Sequence, residues 1–391
     1  MAQTRTRAMA ATAQSTSLER QTRSSGNFHD TERKLSDFSS HKSPEQSRLA
    51  NLLSYLGSNN PLPVPISRHD AVWLFDNVAF RGADGSWQAE FVTAVFGGKP
   101  SAKLVDVVGD VASALGLDVL PGRQVKLRFG EATQLKLGPG GRDGISSDIK
   151  KLTNAAADGA VVTSTADVPA ETGGVLRMKT QFAEPEGWAI ISDMDDTIKI
   201  TQTSSPTGIL RSTFVSEPTP VAGMPELYAY MQRLITPASP FFYLSASPYN
   251  LYPFLHDFTE KYYPHGQLIL RDASWMTIPG LLSNLTLGTQ KYKVDRMRKV
   301  NSWLPRRKMI VIGDSTQSDP EAYGEIYRAF PGWIKLILIR KVTDTDAVGS
   351  EDKNNPSRFE LAFKGIPRDA WHVFEDPAEC RELVQKTVGA S

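Results

Sequence analysis

The chain has 391 residues, 40% hydrophobic and 22% charged, enough for two ordinary domains of about 100–200 residues each, which excludes disorder throughout. Lys and Arg number 44 against 43 Asp and Glu, a formal charge of +1, so there is no overall basic field to hold phosphates and no nucleic acid partner is expected. The single cysteine, Cys380, excludes an internal disulfide framework and a multi-cysteine zinc site.

One cysteine fits a reducing, cytoplasmic setting. No apolar run reaches the roughly 18–20 residues of a membrane-spanning helix, so any membrane contact is expected to be peripheral. Residues 1–48 are rich in Ser, Thr, Ala, Gln and charge and read as a disordered tail. Arg5 and Arg7 without nearby acids also suit a mitochondrial transit peptide, but no long apolar face accompanies them, and an ordinary flexible tail is the preferred reading. Pro61–Pro65 reads as a polyproline-II linker.

Residues 49–183 read as a β-rich, sandwich-like domain. Strand patterns run over Val72–Phe80, Trp87–Phe96, Gln124–Phe129, Ala160–Ala166 and Val175–Phe182. Helical spacing predicts one interrupting helix over Ala102–Leu115. Gly138-Pro139-Gly140-Gly141 lacks the strand-to-helix context of a phosphate loop and reads as an ordinary loop. From residue 184 to 391 apolar strands alternate with helical segments, which predicts a parallel sheet with flanking helices. The strands are Ala189–Ser192, Phe241–Ser245, Gln267–Leu270, Met309–Ile312 and Ile334–Ile339. The crossover helices are Glu226–Leu234, Tyr292–Leu304 and Glu321–Ala329.

In such sheets ligands sit beyond the carboxyl ends of the strands. One strand runs into Asp193-Met-Asp195-Asp196-Thr197, another into Ser245, and a third into Gly313-Asp314-Ser315, with Asp319 a turn later. Taken singly, an acid pair marks a solvated loop or helix cap, and Gly-Asp-Ser is a common turn. Together they concentrate negative charge at one sheet edge, which needs a cation. Oxygen ligands without His or Cys suit Mg²⁺. A metal held by acids suits phosphoryl transfer, with one carboxylate as nucleophile and another as acid and base. Lys293 is the candidate counter-charge, and Lys291 competes with it.

At these residues the sequence resembles the haloacid dehalogenase (HAD) phosphohydrolases, whose four motifs match in order. The resemblance implies an HAD-like Rossmannoid α/β fold, with Asp193 as nucleophile and Asp195 as general acid and base. It implies Mg²⁺ bound by Asp193, Asp195 through its backbone carbonyl, Asp314 and Asp319, and a phosphate site of Thr197, Ser245 and Lys293. Forty-seven residues separate Thr197 from Ser245 and another 47 separate Ser245 from Lys293, which leaves room for only a small cap. The stretches SDMDDTIKIT, YLSASP, KYKVDRM and GDSTQSDPEAYGEIY further resemble the actin patch protein type of phosphatidate phosphatase. That family implies Mg²⁺-dependent hydrolysis of phosphatidate to diacylglycerol and peripheral contact with a membrane surface. Pro-rich SH3-binding segments associated with endocytic members are not evident.

The apolar segment Trp275–Leu282 reads either as a loop near the site mouth or, preferably, as core packing. Tyr249, Tyr252 and Phe254 read as helix core. Arg271 is expected to meet a second anionic group or Asp272. Two further functions stay open: hydrolysis of a soluble phosphomonoester or phosphoprotein by the same chemistry, and a peripheral scaffold whose β-rich domain binds lipid or protein.

Overall fold

In the computed structural model of the chain, residues 60–97, 118–130, 133–141, 144–153, 156–201, 218–271, 289–343 and 350–389 are described. The predicted tail, the helix over Ala102–Leu115 and the segment Trp275–Leu282 lie outside them. Among the described residues, eleven strands form one hydrogen-bonded network: β1 (Val64–Pro65), β2 (Asp70–Leu74), β3 (Asn77–Arg81), β4 (Trp87–Gly97), β5 (Asp118–Val119), β6 (Arg123–Phe129), β7 (Thr133–Leu137), β8 (Ile145–Leu152), β9 (Val161–Ala166), β10 (Gly173–Val175) and β11 (Arg177–Phe182). β4 organises the network, pairing with β2, β3, β5 and β8. Phe91 of β4 meets Phe129 of β6, a strand it does not pair with, edge to face at 6.0 Å, so the curled network encloses a core as a sandwich does.

Several sequence expectations shift here. The strand over Val72–Phe80 is two strands broken at Phe75 and Asp76, and that over Val175–Phe182 is broken at Leu176. The expected linker Pro61–Pro65 contributes a short parallel strand to β6. Residues 138–141 form the expected loop.

The second sheet runs β12 (Trp188–Asp193), β13 (Phe241–Pro248), β14 (Gln267–Arg271), β15 (Lys308–Asp314), β16 (Ile334–Arg340) and β17 (Trp371–Phe374). All neighbours are parallel, in the order β14-β13-β12-β15-β16-β17. Strands buried on both faces read as continuous apolar runs, and β12 is buried throughout. The helices are α1 (Met224–Ile235), α2 (Tyr252–Tyr262), α3 (Thr289–Trp303), α4 (Asp319–Ala329), α5 (Ser350–Lys353), α6 (Pro356–Ala362) and α7 (Cys380–Gly389). α4 starts with Asp319-Pro320-Glu321 and ends near Arg328: proline fits the first turn, and the charges complement the helix dipole. α1, α2 and α7 pack on one face of the sheet with Ile190, Ile310 and Leu338. α3 and α4 pack on the other with Ile191, Val311 and Ile337.

The chain steps outward from β12 to β13 and β14, then returns through α3 to place β15 on the other side of β12. That reversal is a topological switch point, where such sheets open a crevice.

The two sheets also share their cores. Trp73, Phe75 and Phe96 belong to the cluster of α1 and α2; Phe75 lies 3.9 Å from the Tyr252 ring, and Phe80 stacks on Trp303 at 5.4 Å. Tyr249 and Tyr252 are buried there, as expected of helix core. At the centre of this seam the Lys299 ammonium of α3 meets Glu90 of β4 at 2.6 Å, with side chains 7% and 2% exposed. Removing one partner of a buried pair strands the other charge. Lys299→Met should therefore cost about 3–5 kcal/mol in urea unfolding, and adding Glu90→Gln should recover most of it.

Candidate active site

The switch point gathers the predicted residues. β12 ends at Asp193, β15 ends at Asp314, and Asp319 opens α4, so topology alone delivers three buried carboxylates to one place. One oxygen from each lies within 4.8 Å of the others. Lys293 of α3, fully buried, reaches Asp193 Oδ1 at 2.8 Å and donates to Asp319 Oδ1. Lys291, its rival in the sequence, is exposed.

Charge decides what this cluster lacks. Three carboxylates against one ammonium leave two negative charges, the charge of one divalent cation. Asp193 Oδ1, although close to Lys293, has no well-directed hydrogen bond among the described residues. Burial, opposed by Lys293 and reinforced by Asp319, Asp314 and Asp195, pushes the Asp193 carboxyl well above the usual range. Burial and then Asp319 push Asp314 up to about 6. Lys293 is driven the other way: burial disfavours its charge, but Asp193 and Asp319 outweigh that and raise its affinity for a proton. An all-oxygen, acid-rich donor set with an open buried carboxylate oxygen fits a hard divalent cation.

The other predicted residues divide by role. The Thr197 hydroxyl donates to Asp193 Oδ2 at 3.2 Å and to Asp314 Oδ2 at 3.4 Å, bridging acids that would otherwise repel. The Asp195 carboxylate lies outside that three-acid group. It accepts from Ser245 Oγ and Thr201 Oγ1, each at 2.8 Å, with Lys199 Nζ 3.3 Å distant. Burial raises its pKa, but Lys199, Ser245 and Thr201 prevail and hold it below the usual carboxylate range. Ser245, predicted at a strand end, lies inside β13, and its Oγ also accepts from Ser247 N. Asp196, sequence neighbour of Asp195, is a turn residue: its φ is 60°, its Oδ1 accepts from Thr201 N, and its carbonyl accepts from Arg340.

Gly313 is required by closeness. A Cβ there would stand 2.5 Å from Asp319 Oδ2 and 2.6 Å from Asp319 Cβ. That approach lets Asp319 Oδ2 accept from Asp314 N at 2.9 Å.

Sequence reasoning missed Lys199, Thr201 and Arg358. Arg358 of α6 donates to the carbonyls of Ser315 and Gln317 and forms a two-pronged pair with Glu321 at 2.7 and 2.9 Å. It thereby fixes the loop between Asp314 and Asp319. No local signal marks it, because its partners lie some 40 residues away in sequence. Arg271, buried at the end of β14, has its guanidinium over the Tyr292 ring at 5.3 Å; Asp272 lies outside the described residues.

With this geometry in place, the comparisons are specific. Residues 188–341 match the family described as phosphatidate phosphatase APP1, catalytic domain. This segment is similar to an APP1-type catalytic domain. Phosphatidate phosphatase APP1 of Saccharomyces cerevisiae is 28% identical over 162 residues, covering 41% of this chain and 27% of that protein. An uncharacterized protein of Schizosaccharomyces pombe is 29% identical over 161 residues, covering 40% and 25%. The chain thus aligns with about a quarter of the length of these curated relatives. Among solved structures, cytosolic 5'-nucleotidase IIIB bound to cytidine is similar over 53% of this chain and 86% of its own, at 14% identity and a TM-score of 0.29.

Two tests follow from this site. The raised Asp314 pKa means that its neutral form stabilises the fold fully below about pH 4, and that this contribution is lost as pH rises through about 6. A cation requires the ionised form. Thermal stabilisation by MgCl₂ should therefore be larger near pH 7.5 than near pH 5 in a melting series. In the same assay Arg358→Gln should raise the MgCl₂ concentration for half-maximal stabilisation, because the loop that joins Asp314 to Asp319 loses the guanidinium that ties it down.

Proposed function

We propose that this chain is a Mg²⁺-dependent phosphatidate phosphatase, releasing phosphate and diacylglycerol through an aspartyl-phosphate at Asp193. The observation that supports it best is the buried Asp193 oxygen beside the Lys293 ammonium, inside a cluster short by two positive charges. The choice of phosphatidate rests on the APP1-type match.

Asp193, Asp314 and Asp319 would hold the ion, with Asp195 contributing its backbone carbonyl. Bound there, Mg²⁺ supplies positive charge to a phosphate dianion and keeps Asp193 ionised. An Asp193 oxygen attacks phosphorus as the ester oxygen departs with the electron pair of the broken P–O bond. Asp195 protonates that oxygen. Lys199 keeps Asp195 ionised in the resting chain, so an arriving phosphate dianion must raise its proton affinity and Asp195 must take a proton from solvent before it acts as an acid. In the second half, Asp195 takes a proton from water as the water oxygen attacks phosphorus and Asp193 leaves. Lys293 neutralises phosphoryl charge throughout, and Ser245 and Thr201 aim Asp195. Ser245 and Thr197, both predicted to bind phosphate, act on the carboxylates in this arrangement; turning toward the phosphoryl group requires their present hydrogen bonds to break.

The test is phosphate release from phosphatidate in mixed micelles beside p-nitrophenyl phosphate, with Mg²⁺ or EDTA. Asp193→Asn should lower kcat by about 1,000-fold or more, a loss typical of a removed nucleophile, without lowering the melting temperature. Release from the soluble ester alone would preserve the chemistry and overturn the lipid assignment. Full activity of Asp193→Asn would overturn the mechanism.

A further inference from the structure

A second cluster of ligating side chains lies at the seam between the sheets, away from the acids of the switch point. Asp76 comes from the break between β2 and β3, where the sequence predicted a continuous strand. His256 and Glu260 stand one turn apart on α2, the spacing that places two side chains on one helix face. His265 follows in the connection to β14. The Asp76 Oδ2 atom is 3.1 Å from His256 Nε2 and 3.7 Å from His265 Nδ1, and His265 Nδ1 is 2.9 Å from Glu260 Oε1. Oxygen atoms of Asp76 and Glu260 and a nitrogen of His265 all lie within 4.8 Å of one another.

A tetrahedral ion with bonds of about 2.0–2.1 Å has ligand-to-ligand edges of about 3.3 Å. The Asp76–His265 and Glu260–His265 edges, 3.7 and 2.9 Å, straddle that length. The other carboxylate oxygens are also occupied, as the outward atoms of metal ligands usually are: Asp76 Oδ1 accepts from Lys179 N at 2.6 Å, and Glu260 Oε2 pairs with Lys179 Nζ at 2.5 Å. Asp76 is 3% exposed, while the histidines and Glu260 are partly open to solvent, which leaves an entry path. One imidazole with two carboxylates, leaving a fourth position for water, suits zinc-class ions rather than Mg²⁺.

We propose that Asp76, Glu260 and His265 form a Zn²⁺ site that staples the β-rich sheet to the catalytic sheet, with His256 holding Asp76 from the side.

The test uses the full chain, treated with chelator and titrated with ZnCl₂ by calorimetry. Expected are one equivalent bound with Kd of about 1 μM or below and visible tetrahedral absorption when Co²⁺ replaces Zn²⁺. His265→Gln should weaken binding by about 100-fold and His256→Asn, which loosens Asp76, by about 10-fold, with melting temperatures in EDTA close to that of the parent chain. Asp314→Asn should leave this affinity unchanged, separating the seam from the acids of β15. Absence of binding, or binding that survives both histidine changes and disappears in Asp314→Asn, would overturn the site and leave an ion-pair network. A variant unfolded in EDTA would be replaced by Glu260→Gln, for which the same loss is expected and retention counts against the proposal.

Discussion

A lysine without access to water must be paired, and Lys293 is paired with two acids, Asp193 and Asp319. That constraint orders the rest of the catalytic half. Asp193 sits at the end of β12, Asp319 at the first turn of α4, and Lys293 in the first half of α3, so three elements are fixed relative to one another by one ammonium. Burying these charges is costly in isolation, since each loses several kcal/mol of hydration. The cost is offset by their mutual attraction and by backbone and hydroxyl donors such as Asp314 N and Thr197. It is not fully offset while the acids outnumber the cation, and an arrangement held by surrounding packing with that deficit is pre-organised for a dication.

Much of this centre was legible because it lies at strand ends. Apolar runs such as Trp188–Ser192 and Met309–Ile312 can only be buried strands, and polar residues immediately after them are pushed to one edge by topology. The separation of Asp195 from Asp196 was not legible: both are acids, and only the left-handed backbone at Asp196 turns one into the site and the other into the loop. β8 escaped notice because ISSDIKKL alternates poorly, yet it is stabilised as a neighbour of β4, whose eight-residue register supplies its hydrogen bonds. β17 is short and follows a 3-10 turn, so its sequence carries little periodicity.

Arg358 and the seam cluster illustrate a different limit. A guanidinium that ties Ser315, Gln317 and Glu321 together acts across the fold, and no spacing rule joins residue 358 to residue 315. Asp76 likewise acquires meaning only when α2 arrives, 180 residues later. Local chemistry is visible in a chain whenever neighbours in sequence cooperate; cooperation between distant elements is visible only in the fold.

The helix α3 links both halves of the molecule. Its first half carries Lys293 to the acids, and its second half carries Lys299 to Glu90 in the β-rich sheet, with Val294, Met297 and Val300 packed between. Six residues span about 9 Å along a helix, so these two buried ion pairs are held at nearly fixed separation by a rigid rod. Shifting the β-rich sheet relative to the parallel sheet would either break the Glu90 pair or drag Lys293 off Asp193. The seam therefore constrains the position of the ammonium. The β-rich half acts on the site through the placement of α3, without contributing a side chain to the acid cluster.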